Sequence, residues 1–157
     1  MTPAQHAPSR ESPPAYRISH YPATLIDAWT LRNGARVTLR PVLPQDHGLL
    51  GDMIQRLSQA TRYNRFHGAV SGLSTAMLHH MTQVDYRRHL AFVITTTDGE
   101  REQVVADARY AVDDEGDSAE FAIVVDDEWQ RRGLAERAVR ALGAAARRGG
   151  LHWLHGS

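Results

Sequence analysis

Cysteine is absent from the 157 residues. That excludes a disulfide framework, a thiolate zinc site and a cysteine nucleophile. An excess of charge of either sign is absent too, because Lys+Arg and Asp+Glu each number 18 and the formal net charge is 0. A balanced chain offers no electrostatic argument for nucleic acid or an anionic membrane as its partner. No run approaches the ~18 consecutive apolar residues of a membrane span. The opening MTPAQHAPSRESPPAYRISHYPA has no apolar centre of the kind a secretory signal carries. Its proline, serine and alanine read as a loose tail over residues 1–22. None of the 9 histidines falls in an H-E-x-x-H pattern, so no metal is expected. Together these absences suggest a reducing, cytoplasmic setting.

What is present is a globular composition, 42% hydrophobic and 23% charged. Its length suits one domain, over residues 23–157. WTLRNGARVTLRPV alternates apolar and polar residues on either side of Asn33-Gly34, the pattern of a β-hairpin. PQDHGLLGDMIQRLSQ places Leu49, Leu50, Met53, Ile54 and Leu57 on one helical face, with Asp46 as N-cap; Gly48 and Gly51 weaken that helix. ATRYNRFHGAVSG reads as irregular, and STAMLHHMTQ as a short helix from Ser74. HLAFVITT, QVVADARYAV and AEFAIVV read as three antiparallel strands joined by polar turns. A long amphipathic helix from Gly133 to Arg148 follows, then a strand at LHWLHG parallel to AEFAIVV. The fold class is therefore α/β in the α+β sense: a mixed, mostly antiparallel sheet flanked by helices.

The chemistry concentrates where AEFAIVV passes through DDEWQRRGLA into the long helix. A helix N-terminus exposes unpaired N–H groups and partial positive charge, which suits phosphate. Gly133 and the small Ala135 let a ligand approach, and Arg131 and Arg132 add positive charge. A plainer reading makes Asp127 to Gln130 a capping box, with QRRG the first turn of a surface helix. On this reading Asp126, Asp127 and Glu128 form a solvated turn. Tyr63, Arg65 and Phe66 either shape an entrance to a cleft or pack. Glu120 shares a strand face with Ala122 and Val124. It is either a carboxylate facing a cleft or a strand-edge group in solvent or paired with an arginine such as Arg109.

VVDDEWQRRGLAERAVRAL resembles the acyl-CoA-binding signature of the GNAT superfamily of N-acetyltransferases, Q/R-x-x-G-x-G/A. VTLRPVLPQD is similar to that family's opening strand and turn. LSQATRYNRFHG and MTQVDYRRHLAFVI resemble the GNAT domains of bacterial protein-lysine acetyltransferases. The resemblance spans about residues 30–157 and implies a GNAT-like sheet and acetyl-CoA as co-substrate. The acceptor it implies is an amine, a protein lysine first and a small-molecule amine second. It implies that Gln130, Arg131, Arg132, Gly133, Leu134 and Ala135 hold the coenzyme pyrophosphate. Val124 and Val125 would pair with the pantetheine arm and polarise the thioester. Glu120 would take the amine's proton. In the family a further helix and hairpin follow the last strand, so the chain reads as a C-terminally truncated GNAT domain with an open sheet edge suited to self-association. The alternatives are a non-catalytic acyl-CoA-binding or regulatory module, an inactive fragment, or an interaction domain in which QRRGLA merely starts a helix.

Overall fold

The computed structural model describes residues 21–66 and 74–156. Most of the loose tail, residues 1–20, lies outside the described residues, as do Gly68 and Gly72. Among the described residues six strands form one sheet in sequence order: β1 (Asp27–Thr30), β2 (Arg36–Pro41), β3 (His89–Asp98), β4 (Arg101–Val112), β5 (Ser118–Val125) and β6 (Trp153–Gly156). Strands β1 to β5 are antiparallel to their neighbours, and β6 is parallel to β5. Four helices accompany them: α1 (His47–Arg56), α2 (Gln59–Phe66), α3 (Thr75–Thr82) and α4 (Leu134–Arg148). The crossover from β5 through α4 to β6 is the parallel unit the sequence pattern implied.

Each face of the sheet buries its own core. Leu39, Phe92, Ile94, Ala108 and Tyr110 face α4, which presents Leu134, Ala138, Leu142 and Ala145 at helical spacing. On the opposite face Val42, Ala91, Val93, Val104 and Val124 pack against Leu50, Met53 and Ile54 of α1 and Met81 of α3. Gly51 is useful here rather than weakening: a Cβ at that position would stand 3.1 Å from Leu78, so glycine lets α3 approach α1 closely.

Two local expectations change. Residues 59–66 form α2 rather than an irregular segment. Asp46 sits ahead of α1, but its carboxylate does not cap that helix. It accepts from the Leu43 N–H at 2.7 Å and from both terminal nitrogens of Arg40 at 2.8 Å. A bidentate guanidinium outcompetes a neutral cap.

Candidate active site

Two hydrogen bonds fix the phase of β5. At one end the Asp113 N–H donates to the Ser118 carbonyl, and at the other the Asp126 N–H donates to the Val105 carbonyl, both at 2.9 Å. An antiparallel ladder alternates hydrogen-bonded and non-bonded pairs. With this register the backbones of Glu120, Ala122 and Val124 are turned to β4, and those of Ile123 and Val125 away from it. The Gln130 side chain agrees, donating to the Val125 carbonyl from that outer side at 3.1 Å. Among the described residues the last pair with β6 is Phe121 with Gly156. Beyond it, the N–H groups of Ile123 and Val125 open onto a cleft.

The cleft has a volume of about 600 Å³. Ala122 to Val125 form one wall, and Thr61, Asn64 and Arg65 of α2 form another. The turn and the start of α4, with Trp129, Gln130, Arg131, Gly133, Leu134 and Ala135, close the end. Helix α4 starts at Leu134 and not at Asp127, so the capping-box reading does not hold. Its N-cap, Gly133, has φ +85° and no side chain to offer. The first-turn N–H groups therefore have no side-chain cap and point into the cleft end. A Cβ on Gly133 would meet nothing within 4 Å; glycine is needed for the left-handed backbone. Arg131 takes φ +65°, a costly conformation for a side-chain-bearing residue and one that clusters at functional sites. Arg132 turns elsewhere, donating to the Glu128 carbonyl at 2.9 Å with its guanidinium 4.8 Å from the centre of the Trp129 ring.

The acidic turn is not solvated as expected. Asp126 is buried and pairs with Arg56 at 3.0 Å. Ser58 caps α2, its hydroxyl accepting from the Thr61 N–H at 3.1 Å, and Asp127 braces that cap across the chain, accepting from the Ser58 N–H and the Thr61 hydroxyl, both at 2.9 Å. Burial opposes ionisation of Asp127, but these bonds outweigh it and hold its carboxyl below the ordinary value. The turn therefore anchors two walls of the cleft to each other.

On the same sheet face, the fully buried Asp107 binds Arg109 through two hydrogen bonds. Arg109 also donates to the Met81 carbonyl at 2.9 Å and lies 3.2 Å from His89 Nε2. Burial, then Arg109 and then His80 push the His89 pKa down to about 4, so its ring is neutral near pH 7. Arg109 is thus committed to Asp107 and not to Glu120. Glu120 is exposed on the face it shares with Ala122 and Val124, and its register partners are Ala111 and His155. It makes no ion pair among the described residues.

A strand edge with free amides that runs into an uncapped helix N-terminus suits an extended ligand ending in phosphate. Residues 36–157 match the family description "Acetyltransferase (GNAT) domain". The chain belongs to the GNAT acetyltransferase family. It is 35% identical over 144 residues to acetyltransferase PA5475 of Pseudomonas aeruginosa, covering 90% of this chain and 77% of that protein. It is 34% identical to acetyltransferase Pat of Mycolicibacterium smegmatis, over 71% of this chain but only 33% of that protein. Among solved structures, the GNAT domain of S. lividans PAT superimposes with a TM-score of 0.73 at 27% identity, covering 85% of this chain and 78% of that one. The chain is therefore an acyltransferase, of a family whose general acyl donor is acetyl-CoA.

Of the residues expected to hold the coenzyme, Val124, Val125, Gln130, Arg131, Gly133, Leu134 and Ala135 line one cleft, and Arg132 does not. Ile123 was missed. Its side chain faces the α4 core, and only the pairing phase reveals its outward amide. Thr61 and Asn64 were missed with their helix, while Arg65, one of the candidates for shaping a cleft entrance, does line the cleft. Among the described residues no group of three His, Cys, Asp or Glu is placed to hold a metal.

Proposed function

We propose that this GNAT domain moves the acetyl group of acetyl-CoA to an amine, with a protein lysine as the preferred acceptor. One observation carries the reading. The outward amides of Ile123 and Val125 lead directly to the uncapped N-terminus of α4, in one continuous cleft. The N–H groups of residues 131–135 hold the pyrophosphate. The edges of Ile123 and Val125 hold the pantetheine arm as an added strand, and one of these N–H groups polarises the thioester carbonyl. The Val124 side chain lines the cleft, but its amide is spent on β4.

A lysine amine with pKa ~10.4 arrives mostly protonated at neutral pH. Glu120 takes that proton, directly or through water. The nitrogen attacks the thioester carbon, a C–N bond forms, the C–S bond breaks and the coenzyme thiol leaves. The preference for protein lysine rests on the resemblance of LSQATRYNRFHG and MTQVDYRRHLAFVI to protein-lysine acetyltransferase domains. A small-molecule amine is the second acceptor. All 18 Lys+Arg residues of the sequence are arginine. A lysine acceptor therefore lies outside these 157 residues, and an assay of them has no self-acetylated lysine background.

The test is thiol release from acetyl-CoA with a lysine-bearing peptide and with a small primary amine. The peptide is turned over faster. Glu120→Gln binds coenzyme A as before and loses on the order of 10²-fold or more in turnover. Coenzyme A binding with no turnover on any amine identifies a binding module and sinks the catalytic reading.

A further inference from the structure

Arg65 is a cation without a counter-ion in the wall of the cleft. Its Nε is buried and has no hydrogen-bond partner. Its guanidinium carbon lies 4.9 Å from the centre of the Phe66 ring, and it makes no ion pair among the described residues. Burial pulls its pKa down, Asp107 opposes this and Arg109 adds to it, so Arg65 feels both members of the buried pair. The three aspartates around it are already engaged. Asp107 holds Arg109 through both oxygens, Asp126 holds Arg56, and Asp127 holds Ser58 and Thr61 at the start of α2. Arg62 spends its terminal nitrogen on the carbonyls of Gln55 and Leu57. His89 is neutral near pH 7 and adds no charge. The cluster around Asp107 is therefore one positive charge in excess, in a desolvated position where an unpaired ion is costly.

We propose that Arg65 binds a carboxylate inside the cleft, at the distal end of the acyl group, so that the domain takes acyl-CoA thioesters of the malonyl or succinyl class. This rests on the coenzyme reading above, which sets the thioester against Ile123 and Val125. Arg65 lines the same cleft as those residues. Asp107, whose field it feels, is the register partner of Val124, whose side chain lines that cleft. A short dicarboxylic acyl chain keeps its distal carboxylate inside the cleft, where a fork of N–H donors meets it bidentately. The transfer needs no further reactant. The amine nitrogen bonds to the thioester carbon, the C–S bond breaks, the thiol leaves and the amine proton goes to Glu120. An acidic side chain on the acceptor could bring the same carboxylate, and the test separates the two sources.

Dissociation constants are measured by calorimetry for coenzyme A, acetyl-CoA, butyryl-CoA and succinyl-CoA. Succinyl-CoA binds at least tenfold tighter than butyryl-CoA, which has an acyl chain of equal carbon count. Arg65→Met collapses that ratio to about one, and Arg65→Lys keeps part of it. Equal affinities in the unmutated protein overturn the proposal without recourse to any variant, as does a ratio that survives Arg65→Met. In the second arm, lysine peptides flanked by glutamate or by glutamine are compared with acetyl-CoA as donor. A KM advantage for the glutamate peptide that Arg65→Met removes, with no preference for succinyl-CoA, assigns the carboxylate to the acceptor and refutes the acyl assignment. If coenzyme A itself does not bind, the coenzyme reading fails as a whole. If it binds and the succinyl gain is missing, only the carboxylate inference falls.

Discussion

Asp127→Ala removes the brace at the start of a helix whose first residue lies 68 positions earlier in the chain. In the structure its carboxylate takes the Ser58 N–H and the Thr61 hydroxyl, both at 2.9 Å. The Ser58 hydroxyl still caps the helix, so the loss is that of two bonds to a charged acceptor, about 1–2 kcal/mol at a half-exposed position. For a domain of this size that is roughly 3–6 °C of melting temperature. Helix α2 also carries Thr61, Asn64 and Arg65 into the cleft, so KM for acetyl-CoA rises with the loss. The sign with pH is fixed by the lowered carboxyl. A depressed acid stabilises the fold above its unfolded value of ~3.9, and that contribution is lost as pH falls through the folded value. The gap between the two proteins should therefore be full at pH 7 and close in acid. The assay is thermal melting of both proteins from pH 7 to pH 3, with Thr61→Val alone and combined with Asp127→Ala. A double-mutant coupling near zero, or an unchanged melting temperature at pH 7, would show that the turn is a solvated surface feature and refute this account of how the cleft walls are joined.

Gly133→Ala forces a side chain into the left-handed region at a cost of about 1–2 kcal/mol, without a clash, since the added Cβ meets nothing within 4 Å. Melting falls by several degrees and coenzyme A binds more weakly as the turn relaxes; isothermal titration on the folded variant checks the second effect. His89, held at a pKa of about 4 by burial and by Arg109 and His80, stabilises the fold fully above the unfolded value of ~6.5 and loses that contribution as pH falls from ~6.5 to about 4. With solvent screening the loss is on the order of 1–2 kcal/mol, and His89→Gln flattens the urea-denaturation profile over that window. Leu142→Ala empties the core between α4 and the sheet, where Leu142 is fully buried. It costs about 2–5 kcal/mol by chemical denaturation, and a smaller loss would mean that this face repacks.

Elements whose signals are local could be read from the sequence. The β3 to β5 meander, the helix from Leu134 and the returning β6 follow from apolar periodicity and turn residues within a few positions. Helix α2 could not be read that way. It buries no residue, and its short local cap at Ser58 is held in place by Asp127, far along the chain. Asp46 deceived for the opposite reason, since its position before a helix is local while its partner Arg40 sits on β2. The site was legible as a stretch and not in its phase. QRRGLA marks the turn, but whether Val124 or Ile123 shows its amide to a ligand depends on how β5 registers against β4. The Asp107–Arg109 pair left a usable sign: opposite charges two positions apart, on one face of an otherwise apolar strand.

The central claim is that β5 and the start of α4 form a single coenzyme site, and backbone amide NMR during a coenzyme A titration tests it most directly. The amides of Ile123, Val125, Gly133, Leu134 and Ala135 should shift together with one affinity, while those of β1 stay in place. Coenzyme A binding that leaves these five amides unmoved, or moves only the α4 amides and not those of Ile123 and Val125, would contradict it.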